Sequence, residues 1–158
     1  MKKGTIHFLK AVIIMIAVTI LLLCVFLLPQ QAENAAHQAP EFASLQYPVL
    51  FGLYATVVPF FLALYQAYKL LDLIADRRAF SSSSAAALGW IKSSAFAIML
   101  IYMAGMVMLA IMSALHPGIA LVGLVILFAC LTIATFTAVL QTLLKDALTL
   151  KSEHDLTI

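Results

Sequence analysis

Polar residues in this chain gather in a few short stretches, and between them lie four long apolar runs. Ala11 to Leu28 carries no charge and stops at Pro29; a second run starts at Pro48 and reaches about Lys69; a third covers Ser93 to Leu115; a fourth covers Ile119 to about Leu144. A helix needs about 20 mainly apolar residues to cross the hydrocarbon of a bilayer. Each run therefore predicts one crossing, with spans at about 11–28, 48–69, 93–115 and 119–144. The pattern predicts an all-α integral membrane four-helix bundle, built as two antiparallel hairpins, with residues 1–158 forming a single domain.

The polar stretches set the joints. Residues 29–47 read as an outer loop, with a short helical turn around Ala32 to Gln38. Pro48 suits the first turn of the second helix, where its missing N–H costs nothing. Pro59 falls mid-span, removes one backbone bond and leaves the Ala55 carbonyl unpaired, so a kink is expected there, with Thr56 placed to satisfy the freed group. Tyr47, Phe51, Tyr54, Val58, Phe61, Tyr65 and Tyr68 follow steps of four and three, which puts them on one helix face. They read as packing residues, with Tyr47 and Tyr65/Tyr68 anchoring opposite membrane interfaces.

Residues 70–92 read as a joint between the two halves. Leu70, Leu73 and Ile74 keep helical spacing, so the second helix is predicted to continue to near Arg78, roughly 15 Å beyond the membrane. Ser81 is a good N-cap for the next helix, Phe80 can pack on Ala85 as a staple, and Trp90 and Lys92 fit the headgroup level. The second and third helices are thus expected to extend into the cytosol. His116-Pro117-Gly118 forms a tight turn that makes the third and fourth spans antiparallel neighbours. Ala110 and Ala114 on one side, and Cys130, Ala134 and Ala138 on the other, mark faces where small residues allow close approach. Thr132, Thr135 and Thr137 can bond back to their own helix, and the tail from Lys145 is short and polar.

Charge fixes the orientation. All nine Lys and Arg fall before the first span, in the joint or after the fourth span, and the two opposite loops hold none. The positive-inside rule then places both termini and the joint in the cytoplasm, in a multi-pass protein of the bacterial cell membrane. A lysine-led apolar run could also be a signal peptide, but this one exceeds the usual 7–15-residue core and lacks a small-x-small cleavage site after Pro29. It reads as a retained span.

Composition removes several functions. The chain is 65% hydrophobic and 10% charged, against about 25% charged in soluble domains, which excludes a water-covered globule. Its thinly spread cations argue against direct nucleic-acid binding. No ionisable side chain lies mid-span, where ion-coupled transporters, proton relays and small multidrug exporters need one. His7, His37, His116 and His154 sit at or beyond the span ends, so no haem, metal or other cofactor site is expected. Cys24 and Cys130 lie at different depths, without a C-x-x-C, and read as buried small residues. No catalytic signature is present; the four-serine run from Ser81 is explained by capping.

Several stretches carry a family likeness. Tyr54-Ala55-Thr56-Val57-Val58-Pro59-Phe60-Phe61-Leu62-Ala63-Leu64-Tyr65-Gln66, Ala79-Phe80-Ser81 after a Leu/Ile-rich helix end, Ile91-Lys92, and the ending Lys151-Ser152-Glu153-His154-Asp155-Leu156-Thr157-Ile158 resemble the YoaS-like family of small bacterial four-span membrane proteins, a domain family of unknown function (number 2975). The resemblance covers essentially the whole chain; His154 stands where the family often has Asn. It implies no activity. Its genes often neighbour one for a small helix-turn-helix regulator of the Cro/C1 type, which implies, by association alone, a cytosolic partner.

Three functional readings follow, in this order. The first is a non-enzymatic membrane regulator or scaffold that presents Asp72, Asp76, Arg77, Arg78 and Phe80 to a cytosolic helix-turn-helix regulator. The second is a small-molecule permease or lipid-interacting protein that uses the span kinked at Pro59 and its aromatic face. The third is an enzyme of the outer loop using Glu33, His37 and Glu41. Besides the lipid bilayer, a second copy of the chain is a further candidate partner.

Overall fold

The structure is a computed structural model that describes residues 2–157. Met1 and Ile158, the outer ends of the Met1–Lys3 opening and of the Lys151–Ile158 ending, lie outside the described residues. The described chain is helical almost throughout: α1 (Lys3–Leu22), α2 (Leu28–Gln38), α3 (Gln46–Ala75), α4 (Ser82–Ile111) and α5 (Pro117–Leu156), with a π turn at Leu23–Leu27 and a 3-10 segment at Pro40–Leu45. Four stretches, Lys3–Gln38, Pro40–Ala75, Ser82–Ile111 and Pro117–Leu156, are long and apolar enough to cross a membrane.

The helices outrun the apolar runs at both ends. The stretch expected to be an outer loop is almost all helical, and Pro29 is the reason it can be. In an unbroken α-helix its ring would press on the Val25 carbonyl and its missing N–H would leave a bond unmade. Instead the turn before it widens: Leu28 N–H donates to the Leu23 carbonyl, the i→i+5 pattern of a π turn. The next carbonyl, that of Cys24, would look to residue 29, which has no N–H to give. Tyr54 on α3 supplies the donor, its hydroxyl meeting the Cys24 carbonyl at 2.7 Å. Helix then continues to Gln38, and the chain bends only at Ala39 (φ −131°, ψ 76°), because a residue before proline is driven out of the helical region.

The second proline does not end its helix. Pro59 sits inside α3 and the helix runs on through it. Thr56 Oγ1 donates to the Leu53 carbonyl at 2.6 Å, not to the Ala55 carbonyl that the proline frees, so the expected rescue by Thr56 is corrected. The tail from Lys145 is also helical, to Leu156: Ala147, Leu148 and Leu150 favour helix, and no glycine or proline intervenes. At 1.5 Å per residue a 40-residue α5 is roughly 60 Å long, about twice the hydrocarbon thickness.

α3 packs on α4 and α4 on α5, while α1 rests on α3 along a narrower strip. Lys10 meets Asp72 near one end of that strip and Cys24 meets Tyr54 near the other, so α1 and α3 run in opposite directions. The buried residues of α5, Gly123, Cys130, Ala134 and Thr137, recur at near-heptad spacing and form its seam against the bundle. Lipid offers no hydrophobic force to join helices, so contact area between close backbones carries the association. A Cβ at Gly123 would collide with Met106 Sδ, and one at Gly89 would lie 2.6 Å from Gln141 Nε2. Gln141 uses that gap to bridge the helices, accepting from Lys92 Nζ at 2.9 Å and donating to the Ala85 carbonyl at 3.0 Å. Ala110, expected on this contact, is exposed, and Ala114 lies past the end of α4. Ala110 shares the helix face of Gly89, Lys92 and Met106 but stands one residue before the end of α4 at Ile111, beyond the stretch where those residues meet α5. Thr132 and Thr137 do bond back to Phe128 and Ile133.

The turn after α4 is closed by backbone bonds, Ala114 N–H to Leu109 and Ser113 N–H to Ala110, with Ser113 left-handed at φ 55°. His116 then caps α5, its Nδ1 accepting from Gly118 N–H at 3.1 Å.

Two outcomes follow. Tyr54→Phe strands the Cys24 carbonyl and should lower stability by about 1 kcal/mol, the scale of a hydrogen bond between membrane helices; an unchanged thermal midpoint in mild detergent would contradict it. Ser113→Gly should raise the midpoint and Ser113→Val lower it, because a left-handed residue with a Cβ costs about 1–2 kcal/mol.

Candidate functional site

The joint begins where α3 stops. Leu73 and Ile74 carbonyls, left open by the end of the helix, are taken by Arg78 N–H at 2.7 Å and Arg77 N–H at 3.1 Å. This is a Schellman closure, and it needs a left-handed residue, here Arg77 at φ 58°. The expected continuation of α3 to near Arg78 is therefore cut short at Ala75, because the closure turns the chain back on itself.

From the other side, α4 is held by its cap. Ser81 Oγ accepts from Ser84 N–H at 3.3 Å. Ser84, with 0% exposure, donates its own hydroxyl to the Arg78 carbonyl at 3.2 Å. The two bonding systems meet at Arg78, whose N–H and carbonyl are both engaged, so the segment between the helices is pinned at both ends.

Five residues were read from sequence as contact candidates, and the structure separates them. Asp76, Arg77, Arg78 and Phe80 lie together on the outside of the turn, all exposed. Phe80 is 69% exposed, an apolar side chain turned outward two residues after Arg78. Asp72 is set apart from them: it pairs with Lys10 of α1, and that ammonium also lies 5.0 Å from the centre of the Tyr68 ring. The hydrogen bond that Lys10 donates to Asp72 raises the Lys10 pKa above its ordinary value; partial desolvation opposes this, and the Asp72 charge adds to it. A raised lysine pKa favours folding at every pH below the ordinary lysine range and fades only as pH rises through the raised value, so this pair is constant across neutral pH.

The pairs Lys10–Asp72 and Lys92–Gln141 join residues 62 and 49 positions apart. Nothing in local spacing announces such partners. Their effect is to collect charge. Lys10 lies beside the end of α3 that carries Lys69, and Lys92 beside the part of α5 that leads to Lys145 and Lys151. The basic residues of separate helices thus come to one end of the bundle, around the joint. Glu33, His37 and Glu41 lie toward the other end on α2 and the 3-10 segment, where His116 Nδ1 is occupied as a cap. Among the described residues no three His, Cys, Asp or Glu side chains converge on a point where a metal ion could sit. Cys24 and Cys130 are free and buried. The arrangement leaves Asp76, Arg77, Arg78 and Phe80 exposed on an ordered turn.

Comparison with known proteins agrees with the sequence likeness. Residues 30–158 match the family model described as "Protein of unknown function (DUF2975)". The chain is 46% identical over 160 residues to the "Uncharacterized membrane protein YoaS" of Bacillus subtilis (strain 168), with 100% of both chains covered. No solved structure matches it. A family match across most of the chain, together with a full-length relative that is a membrane protein and four helices suited to lipid, leads to one assignment: the chain belongs to the DUF2975 family.

Proposed function

We propose that this protein is a non-enzymatic integral membrane protein of the bacterial cell membrane whose cytosolic face is a regulatory or scaffold surface for a small helix-turn-helix regulator. In this reading the helices cross as two antiparallel hairpins, with both termini and the joint in the cytosol. The distribution of Lys and Arg supports that orientation, since cations are retained on the cytoplasmic side. The observation that carries the reading is the pinned turn itself. Arg77, Arg78 and Phe80 are exposed on a segment whose backbone is already ordered, so a partner would meet a preformed surface and lose little entropy in binding it. Its chemistry fits a partner with an acidic patch next to an apolar notch: Arg forks pair with carboxylates and an aromatic ring fills a small pocket.

A second reading, a permease or lipid-interacting protein, draws on the apolar cavity that α3 lines from Gln46 to Thr56.

Affinity capture from the native membrane in mild detergent, comparing the parent with Arg77→Ala/Arg78→Ala/Phe80→Ala, tests the first reading. These side chains are exposed, so the variant should fold. Recovery of a small DNA-binding protein should fall about tenfold or more, as expected when more than 1.4 kcal/mol of binding is removed. Equal recovery with parent and variant, or no such protein with either, overturns it.

A further inference from the structure

At the end of the bundle away from the joint, α2, α3, α4 and α5 surround a part-open cavity of about 770 Å³. That size lies within the 300–1,000 Å³ range of ordinary ligand sites. Its roof is unusual. Ala32, Ala35, Ala36 and Ala39 recur at helical spacing and put a stripe of methyl groups along one face of α2, while Glu33, Asn34, His37 and Gln38 fall off that stripe. An amphipathic helix of this kind normally buries its apolar stripe against larger side chains. Here the stripe faces open space.

Two glycines on the opposite walls leave the same space open. A Cβ built on Gly52 of α3 or on Gly105 of α4 meets nothing within 4 Å. Gly123, by contrast, is filled by Met106. The cavity is thus not a uniform looseness in packing: one glycine serves helix contact and two serve volume.

Its polarity is graded. Gln46 and His116 stand toward the bundle end, Thr56 and Tyr102 toward the middle, and the walls between are apolar. No carboxylate, Lys or Arg lines it. Along α3 the lining runs from Gln46 to Thr56, about 15 Å at 1.5 Å per residue, which is half of a hydrocarbon core about 30 Å thick. The depth is that of one leaflet.

We propose that this cavity holds one acyl chain of a membrane phospholipid, entering from the leaflet in which α2 lies. Apolar walls this extensive give water too few partners to stay. An empty space would forfeit the dispersion contacts of every residue around it. A flexible acyl chain restores those contacts, matches the depth, and leaves its glycerol end level with Gln46 and His116. With no cation in the lining, the site recognises the chain and not the charge of the headgroup. The proposal does not depend on the cytosolic partner, and it concerns the opposite end of the molecule.

The test uses the full-length protein in nanodiscs of phosphatidylethanolamine and phosphatidylglycerol containing a phospholipid with a diazirine in its acyl chain. Both leaflets carry the probe, so the orientation of the protein cannot produce a false failure. After irradiation, residue-level mapping should find lipid attached to the cavity-lining residues Tyr102, Met106 and Leu109 of α4 as well as to outward-facing Phe128. Gly52→Leu/Gly105→Leu fills the cavity where there is room for it and should cut labelling of the wall about tenfold, equivalent to about 1.4 kcal/mol, while Phe128 labelling stays unchanged. Ala35→Leu, a milder filling from the roof, should reduce it in the same direction. Labelling of the wall that survives both substitutions in folded protein overturns the proposal. So does a wall that reacts only with a second copy of the chain.

Discussion

A polypeptide in hydrocarbon has no water to bond its backbone, so each N–H and carbonyl must find a partner within the protein. Much of the detail of this structure follows from that requirement. Helices satisfy it along their length. The difficult points are the prolines and the helix ends, and several of them are settled by a specific device. Pro29 is absorbed by a π turn whose leftover carbonyl is taken by Tyr54 of another helix. α3 and α4 both end in Schellman closures, with Arg77 and Ser113 accepting a left-handed backbone for it. α4 and α5 both start at side-chain caps, Ser81 and His116.

These devices also shape the exposed turn and the cavity. The Tyr54 bond ties α1 to α3 at one level and the Lys10–Asp72 pair ties them at another, so the least embedded long helix has two polar anchors. The Schellman closure at Arg77 turns the chain sharply and throws Asp76, Arg77, Arg78 and Phe80 outward. Passage of the first helix through Pro29 carries α2 onward to form the alanine-lined roof of the cavity. Had the helix stopped at that proline, this end of the bundle would lack its fourth wall.

Much of the architecture was legible in the sequence, because lipid imposes a coarse and unambiguous code. Four apolar runs gave four membrane-length helices, and Ser81 capped α4 through its hydroxyl. What escaped notice depended on distant partners or on where a helix ends. Pro29 read as a stop because Tyr54, the donor for the Cys24 carbonyl that the proline leaves over, lies 30 positions from Cys24. Ala110 looked like a contact residue from its size, yet it lies at the very end of α4 and stays exposed. At the site, the exposed turn was visible as a polar interruption, but the commitment of Asp72 to Lys10 was not, since a carboxylate within one turn of a helix end gives no local sign of its partner. The cavity went unseen for a related reason: volume is a property of several helices together, and Gly52 and Gly105 look no different in sequence from Gly123.

The central claim is that lipid takes all four long helices and leaves every cation on the cytoplasmic face. Single cysteines at positions 77 and 38, probed in intact cells with a membrane-impermeant maleimide, test it most directly; Cys24 and Cys130 are buried at 8% and 7% exposure and should stay silent. Position 38 should react from outside, and position 77 only after the membrane is opened. Reaction at position 77 in sealed cells would contradict the claim.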